Sequence, residues 1–245
     1  MELTSVFDER LDEITAYLNL LQAIEVETQN GPPRIGATGA HITAQQQKIL
    51  YSGIFLHLYN LVEATVVRCL EAVTVVALTS HSPAPSELTD EMKKEWVRVM
   101  ARTHIELSSD NRLVAALRLC DHLVQKLPVA GFEMEKGGGG NWDDDAIQSV
   151  AERLGLRLRV SRESYTGIKR KFRDDLGALA LIKKRRNQLA HGSLSFAECG
   201  EGLTVTELRD LVNRTVAYLQ EVIAEFQNYI EAQHYLAAHR QNNVA

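Results

Sequence analysis

The sequence predicts an all-α fold, a bundle of about five to seven helices with long antiparallel members, on three observations. All five prolines fall at positions 32, 33, 83, 85 and 128, leaving proline-free windows over 34–82 and 129–245. Helices rarely tolerate proline internally. Inside those windows apolar residues recur at spacings of three and four, and no alternating run is long enough for a convincing sheet.

The elements follow in order. Residues 3–25 read as a first helix, with Leu3, Phe7, Leu11, Ile14, Leu18 and Leu21 on one face, ended by Gly31-Pro32-Pro33. From Thr43 to Leu78 runs a second helix, apolar over so broad a band that it belongs at the centre of a bundle. Ser80–Ser86 is a loop by composition. Two further helices cover 88–105 and 111–127, the second carrying Leu113, Ala116, Leu117, Cys120, Leu123, Val124 and Leu127. Gly137–Gly140 lacks the Lys-Ser/Thr ending of a phosphate-binding loop and reads as a flexible linker. Asp143-Asp144-Asp145 then opens a short helix, where carboxylates cap free N–H groups. Leu156, Leu158 and Val160 alternate with Arg157 and Arg159, the pattern of a short strand or extended segment. A helix from Tyr165 to His191 follows, and Thr204-Val205-Thr206-Glu207 opens the last long helix with a capping-box pattern. The expected organisation is one helical domain over 1–245, with an N-terminal helix within 1–30 and a flexible Gly-rich insertion around 131–145.

Hydrophobic residues at 45% and charged residues at 24% exclude wholesale disorder and fibrous repeats. No apolar run approaches the ~18–20 residues that cross a bilayer, and the acidic start lacks the pattern of a signal peptide. Cys69, Cys120 and Cys199 are widely spaced and odd in number, which points to free thiols and a reducing, cytoplasmic setting. The net charge of −5 is unevenly spread. Residues 157–186 hold eleven basic side chains against three acidic ones, a local +8 that leaves −13 elsewhere. Such a basic field attracts a polyanion whatever the total, although a charge run of this kind is also what a solvated helix face carries.

The segment Lys183-Lys184-Arg185-Arg186-Asn187-Gln188-Leu189-Ala190-His191-Gly192 carries the chemistry. On an ideal helix continuing from Tyr165, Arg186 projects into the apolar stripe of Ile168, Leu179, Ile182 and Ala190, whereas Arg185 points off it. An arginine on the packing face needs a partner, or it borders a site for an anion. Asn187, four residues before His191, is placed to hydrogen-bond and orient the imidazole. Gly192 stands in the C′ position, so His191 ends the helix. A histidine beside a guanidinium suits phosphodiester cleavage: histidine moves the proton, and arginine stabilises charge on five-coordinate phosphorus. The attacking group is then the RNA 2′-hydroxyl. A helix-capping histidine preceded by a snorkelling arginine would leave the same signature.

The run Arg186-Asn187-x-x-x-His191 resembles the HEPN signature, and the longer Arg186-Asn187-Gln188-Leu189-Ala190-His191-Gly192-Ser193-Leu194-Ser195-Phe196 resembles the MAE-type HEPN nucleases. The likeness spans roughly 165–236, and His57–Glu63 is similar to the family's earlier bundle helix. The resemblance implies a homodimeric, metal-independent endoribonuclease in toxin–antitoxin or anti-phage settings. It implies catalytic roles for Arg186 and His191 and an orienting role for Asn187. Lys183, Lys184, Arg185, Arg170 and Lys171 are the expected RNA contacts. RNA, a second copy and an antitoxin or regulatory protein are the expected partners, with no membrane. The alternative is a non-catalytic HEPN module that binds RNA or a protein. Where some HEPN toxins carry a tyrosine modified by a partner nucleotidyltransferase, this chain has Ser193.

His57, Asn60, Arg68 and Glu71 form a polar stripe on the second helix, with Glu63 nearby, suited to an exposed face or to a cleft. Tyr165, Phe172 and Phe196 flank the basic segment and offer stacking surfaces. No H-E-x-x-H or Cys-x-x-Cys pattern occurs, so neither a metal nor a cofactor is expected.

Overall fold

The computed structural model describes residues 3–36, 39–103, 105–134 and 141–237. The fold is all-α. Its centre is α2 (Ala44–Glu71), which touches α1 (Ser5–Thr28), α8 (Ala178–Ala190), α9 (Phe196–Cys199) and α10 (Val205–Glu231). The remaining helices are α3 (Leu78–His81), α4 (Asp90–Met100), α5 (Ser109–Val124), α6 (Asp144–Arg153) and α7 (Arg162–Lys169).

The breadth of the apolar band on α2 has the expected consequence. Ile54, Phe55, Leu58, Tyr59, Leu61, Val62 and Val66 are all buried, although they point in several directions around the helix. Thr43 accepts from the Gln46 backbone N–H, and the Gln46 side chain accepts from the Thr43 N–H in return. This reciprocal cap starts α2 without a carboxylate. The helix widens into a π-helical turn at Ala72–Ala77 before α3, and there the Thr74 carbonyl accepts from the Phe132 N–H at 2.9 Å. Helix α10 buries Leu208, Leu211, Val212, Thr215, Leu219, Val222, Ile223 and Phe226, one face at three- and four-residue steps. Its Thr204–Glu207 capping box is present in both directions.

One expectation is corrected, and one of two alternatives is selected. No helix runs unbroken from Tyr165 to His191: α7 ends at Lys169 and α8 begins at Ala178. Between them the chain doubles back, with Phe172 N–H donating to the Leu176 carbonyl at 2.8 Å and an antiparallel bridge between Arg173 and Leu176. Asp174 and Asp175 sit at the tip with φ of +53° and +59°, as a two-residue reversal requires. Aspartate is among the few non-glycine residues that enter the left-handed region readily. Leu156–Val160, read as a strand or extended segment, joins α6 to α7 without ladder partners among the described residues, which leaves the extended segment. Its alternation is real, since Leu156 is buried while Arg157 and Arg159 are exposed. Gly137–Gly140 lies outside the described residues. Among the described residues, no helix is long and apolar enough to cross a membrane.

Candidate nucleic-acid interface

The site is built from the last two turns of α8, the middle of α2 and the residues that lead into α6. Helix α8 buries Leu179, Leu181, Ile182 and Leu189, which fixes its rotation and sends Arg186 towards α2. There the Arg186 guanidinium lies 4.3 Å from the centroid of the Tyr59 ring, a cation–π stack in a partly desolvated place. Tyr59 is 3% exposed, and its hydroxyl accepts the backbone N–H of Trp142 at 3.3 Å. Burial raises the Tyr59 phenol above its ordinary pKa, and nearby Glu63 adds to this. The Trp142 N–H, Arg186 and Lys183 pull the other way. The ring is therefore a neutral platform.

Asn187 does not perform the role expected of it. Its side-chain oxygen accepts from Arg186 Nη1 at 2.9 Å, and its Nδ2 donates to Asn141 Oδ1 at 2.9 Å. Asn187 thus orients the guanidinium and ties α8 to the segment before α6, leaving the imidazole alone. The spacing of four residues was sound, but His191 has left helical geometry, with φ −93° and ψ 1°. The i,i+4 rule no longer applies there. His191 is exposed, and among the described residues its ring makes no hydrogen bond. The turn that presents it is the expected one. Gly192 has φ +69°, its N–H reaches the Leu189 carbonyl, and the Ser193 N–H reaches the Gln188 carbonyl at 3.0 Å. This is a Schellman arrangement that only glycine enters without strain.

The basic segment is folded against carboxylates of its own chain. Lys183 bonds Asp143, Lys184 and Arg185 meet Asp174 at 3.0 and 3.1 Å, Arg170 meets Asp210 at 3.4 Å, and Lys171 meets Asp175 at 2.9 Å. All five expected RNA contacts are thus engaged. The hydrogen bond from Lys184, then the charge of Arg185, hold the Asp174 carboxyl below the usual range. The exposed pairs among these, Arg170–Asp210 and Lys171–Asp175, are worth about 0–1 kcal/mol each, so a polyphosphate can displace them. Arg186 differs: among the described residues it forms no ion pair.

Sequence reasoning missed Tyr59, Asn141 and Trp142. Tyr59 sits inside the His57–Glu63 string but shows no polar pattern of its own, and Asn141 directly follows the Gly-rich stretch. Of the polar stripe on α2, His57 packs on the Tyr17 ring with centroids 4.7 Å apart, Arg68 pairs with Glu71 at 3.3 Å, and Asn60 is exposed. Tyr165 and Phe196 are also exposed, while Phe172 lies 5.7 Å beneath Arg214. Asp143 caps α6 through the Ala146 N–H at 2.9 Å, as its place in the sequence predicts. Among the described residues no three His, Cys, Asp or Glu side chains gather in a group that could hold a metal.

The arrangement offers a guanidinium fixed on an aromatic floor, with no ion-pair partner among the described residues, one turn before an exposed imidazole. A family model described as HEPN_MAE_28990-like HEPN matches residues 1–235. Neither the curated proteins nor the solved structures give a match.

Proposed function

This chain belongs to the MAE-type HEPN family, and from that membership we propose that it is a metal-independent endoribonuclease. The observation that carries the reading is Arg186, stacked on Tyr59, held by Asn187 and lacking an ion-pair partner among the described residues. A guanidinium so placed is preorganised for a phosphate. In the proposed step His191 takes the proton of the RNA 2′-hydroxyl, whose oxygen bonds to the adjacent phosphorus. The P–O5′ bond breaks, and the departing oxygen receives a proton from an imidazolium, giving a 2′,3′-cyclic phosphate and a 5′-hydroxyl. Arg186 neutralises the added charge on phosphorus. The nucleophile belongs to the substrate, so no metal-bound water has to be generated. A homodimer, a cytoplasmic toxin or anti-phage role and control by an antitoxin or regulatory protein complete the proposal.

RNA incubated with the protein in EDTA tests it. Cleavage should proceed, and His191→Ala should slow it about 10²-fold or more, the usual contribution of a general acid–base. Cleavage that survives that substitution unchanged removes this active site. A second reading, a non-catalytic RNA-binding or protein-interaction module, draws on the imidazole having no orienting hydrogen bond among the described residues. It expects intact RNA bound with a steep salt dependence.

Either reading makes a further prediction at Asp174. Asp174→Asn frees Lys184 and Arg185 together. RNA affinity at low salt should rise several-fold, and the slope of log K against log salt should steepen by about 1.4–1.8 units. An unchanged slope would show that neither cation meets phosphate.

A further inference from the structure

Helix α5 has two apolar sides and the molecule uses one of them. Ala115, Leu119 and His122 face the body: Ala115 is buried, Leu119 packs on the core, and the His122 ring lies 5.1 Å from that of Trp96 on α4. On the opposite side Leu113, Leu117, Cys120 and Val124 recur at steps of four, three and four, the spacing of a coiled-coil seam. Leu113 is 60% exposed, Leu117 53% and Val124 80%, and Cys120 is exposed with them. Val114 and Leu123 extend the stripe on its two flanks.

We propose that this stripe is a self-association surface, on which α5 of a second copy of this chain lies antiparallel. Three features fit that occupant. The 16-residue helix is about 24 Å long, enough for two heptads. Its exposed apolar side chains offer roughly 500 Å² per copy, so a pair buries about 1,000 Å², the threshold of a specific interface. The charges are self-complementary in one direction only. Asp121 borders the stripe and Arg118 lies about 60° further round on the same side, so only an antiparallel pair, where that side meets its own copy, lets the long Arg118 side chain reach Asp121 of the partner subunit. A parallel pair would set Asp121 against the flank of Ala116 and Leu123. This surface is separate from the Arg186–His191 site and does not rest on the function proposed for it.

Sedimentation of the full chain over a concentration series tests the proposal. Leu117→Asp with Val124→Asp should lower the limiting mass, to that of the homodimer proposed at the Arg186–His191 site or, without one, to that of a single chain. Both positions face solvent in the single chain, so helicity should be kept. Asp121→Arg should weaken association by about tenfold, and adding Arg118→Asp should restore it. A short bis-maleimide should couple two wild-type chains through Cys120 and fail with Cys120→Ser, because Cys69 and Cys199 are buried. An unchanged mass in the Leu117/Val124 variant overturns the proposal. So does a wild type that sediments with anionic phospholipid vesicles but not with itself.

Discussion

Replacing Arg186 by alanine should lower RNA cleavage by about 10²–10³-fold, or 2.7–4 kcal/mol of transition-state stabilisation, with little change in melting temperature. The stability expectation follows from where the side chain lies. Arg186 is only half-buried and bonds one neighbour, Asn187, while Leu179, Leu181, Ile182 and Leu189 hold α8 in the bundle. The catalytic expectation follows from preorganisation: a stacked guanidinium with no ion-pair partner among the described residues reorganises little when charge develops on phosphorus. Arg186→Lys should lose most of the same activity, because an ammonium neither stacks flat on Tyr59 nor donates a two-pronged fork. Wild-type rates in Arg186→Ala would sink the proposed mechanism even if His191 proved essential.

The same argument makes Tyr59 a positioning residue. Tyr59→Leu leaves an apolar side chain at the position but removes the π face beneath the guanidinium. Its effect on kcat should be about tenfold and should vanish in the Arg186→Ala background, because the ring acts only through that arginine. Tyr59→Phe keeps the ring beneath the guanidinium and should therefore keep most of the cleavage rate, although it removes the acceptor for the Trp142 N–H. A Tyr59→Leu loss that persists without Arg186 would instead mark a general packing defect.

How far these residues were legible in the sequence depended on how local their causes were. The Arg186–His191 motif, the Gly192 turn, the Asp143 cap and the Thr204–Glu207 box each depend on neighbours within one or two turns. Short-range spacing therefore disclosed them. The break between α7 and α8 was hidden because Ile168, Phe172, Leu176 and Leu179 keep a helical period straight through it. The only breakers are Asp174, Asp175 and Gly177, none of which forbids a helix as proline does. The Tyr59 platform was hidden for another reason. It brings together residues 59, 142 and 186 from three elements, and no spacing rule spans such distances. The charge sum misled in the same way: +8 along the chain already counts Asp174 and Asp175, yet Asp143, Asp144, Asp145, Glu207 and Asp210 fold back onto it from outside the segment. Linear charge predicts a field only where the fold leaves it unpaired.

Two glycine-to-alanine substitutions should have opposite signs, and the first should be a large stability loss for a single methyl group. Gly200 ends α9, the helix that carries the chain from the motif back onto α2. A Cβ at Gly200 would stand 1.9 Å from the Lys48 carbonyl oxygen and 2.6 Å from its carbon. Both are backbone atoms in the first turns of α2, so no rotamer change relieves the clash. The α9–α2 contact must open, exposing Cys199 and Leu203. Gly200→Ala should cost about 2–4 kcal/mol, seen as a fall in melting temperature on the order of 10 °C for a chain of this length. Gly167, within α7, has nothing within 4 Å of its would-be Cβ. Gly167→Ala should therefore gain about 0.5–1 kcal/mol by restricting the unfolded chain and favouring the helix. Calorimetry of the two variants separates the causes. If close approach governs Gly200, the two shifts differ in sign. If glycine served at both positions only for flexibility, both substitutions would stabilise, and the α9–α2 contact would not be the constraint that seats the motif's trailing loop.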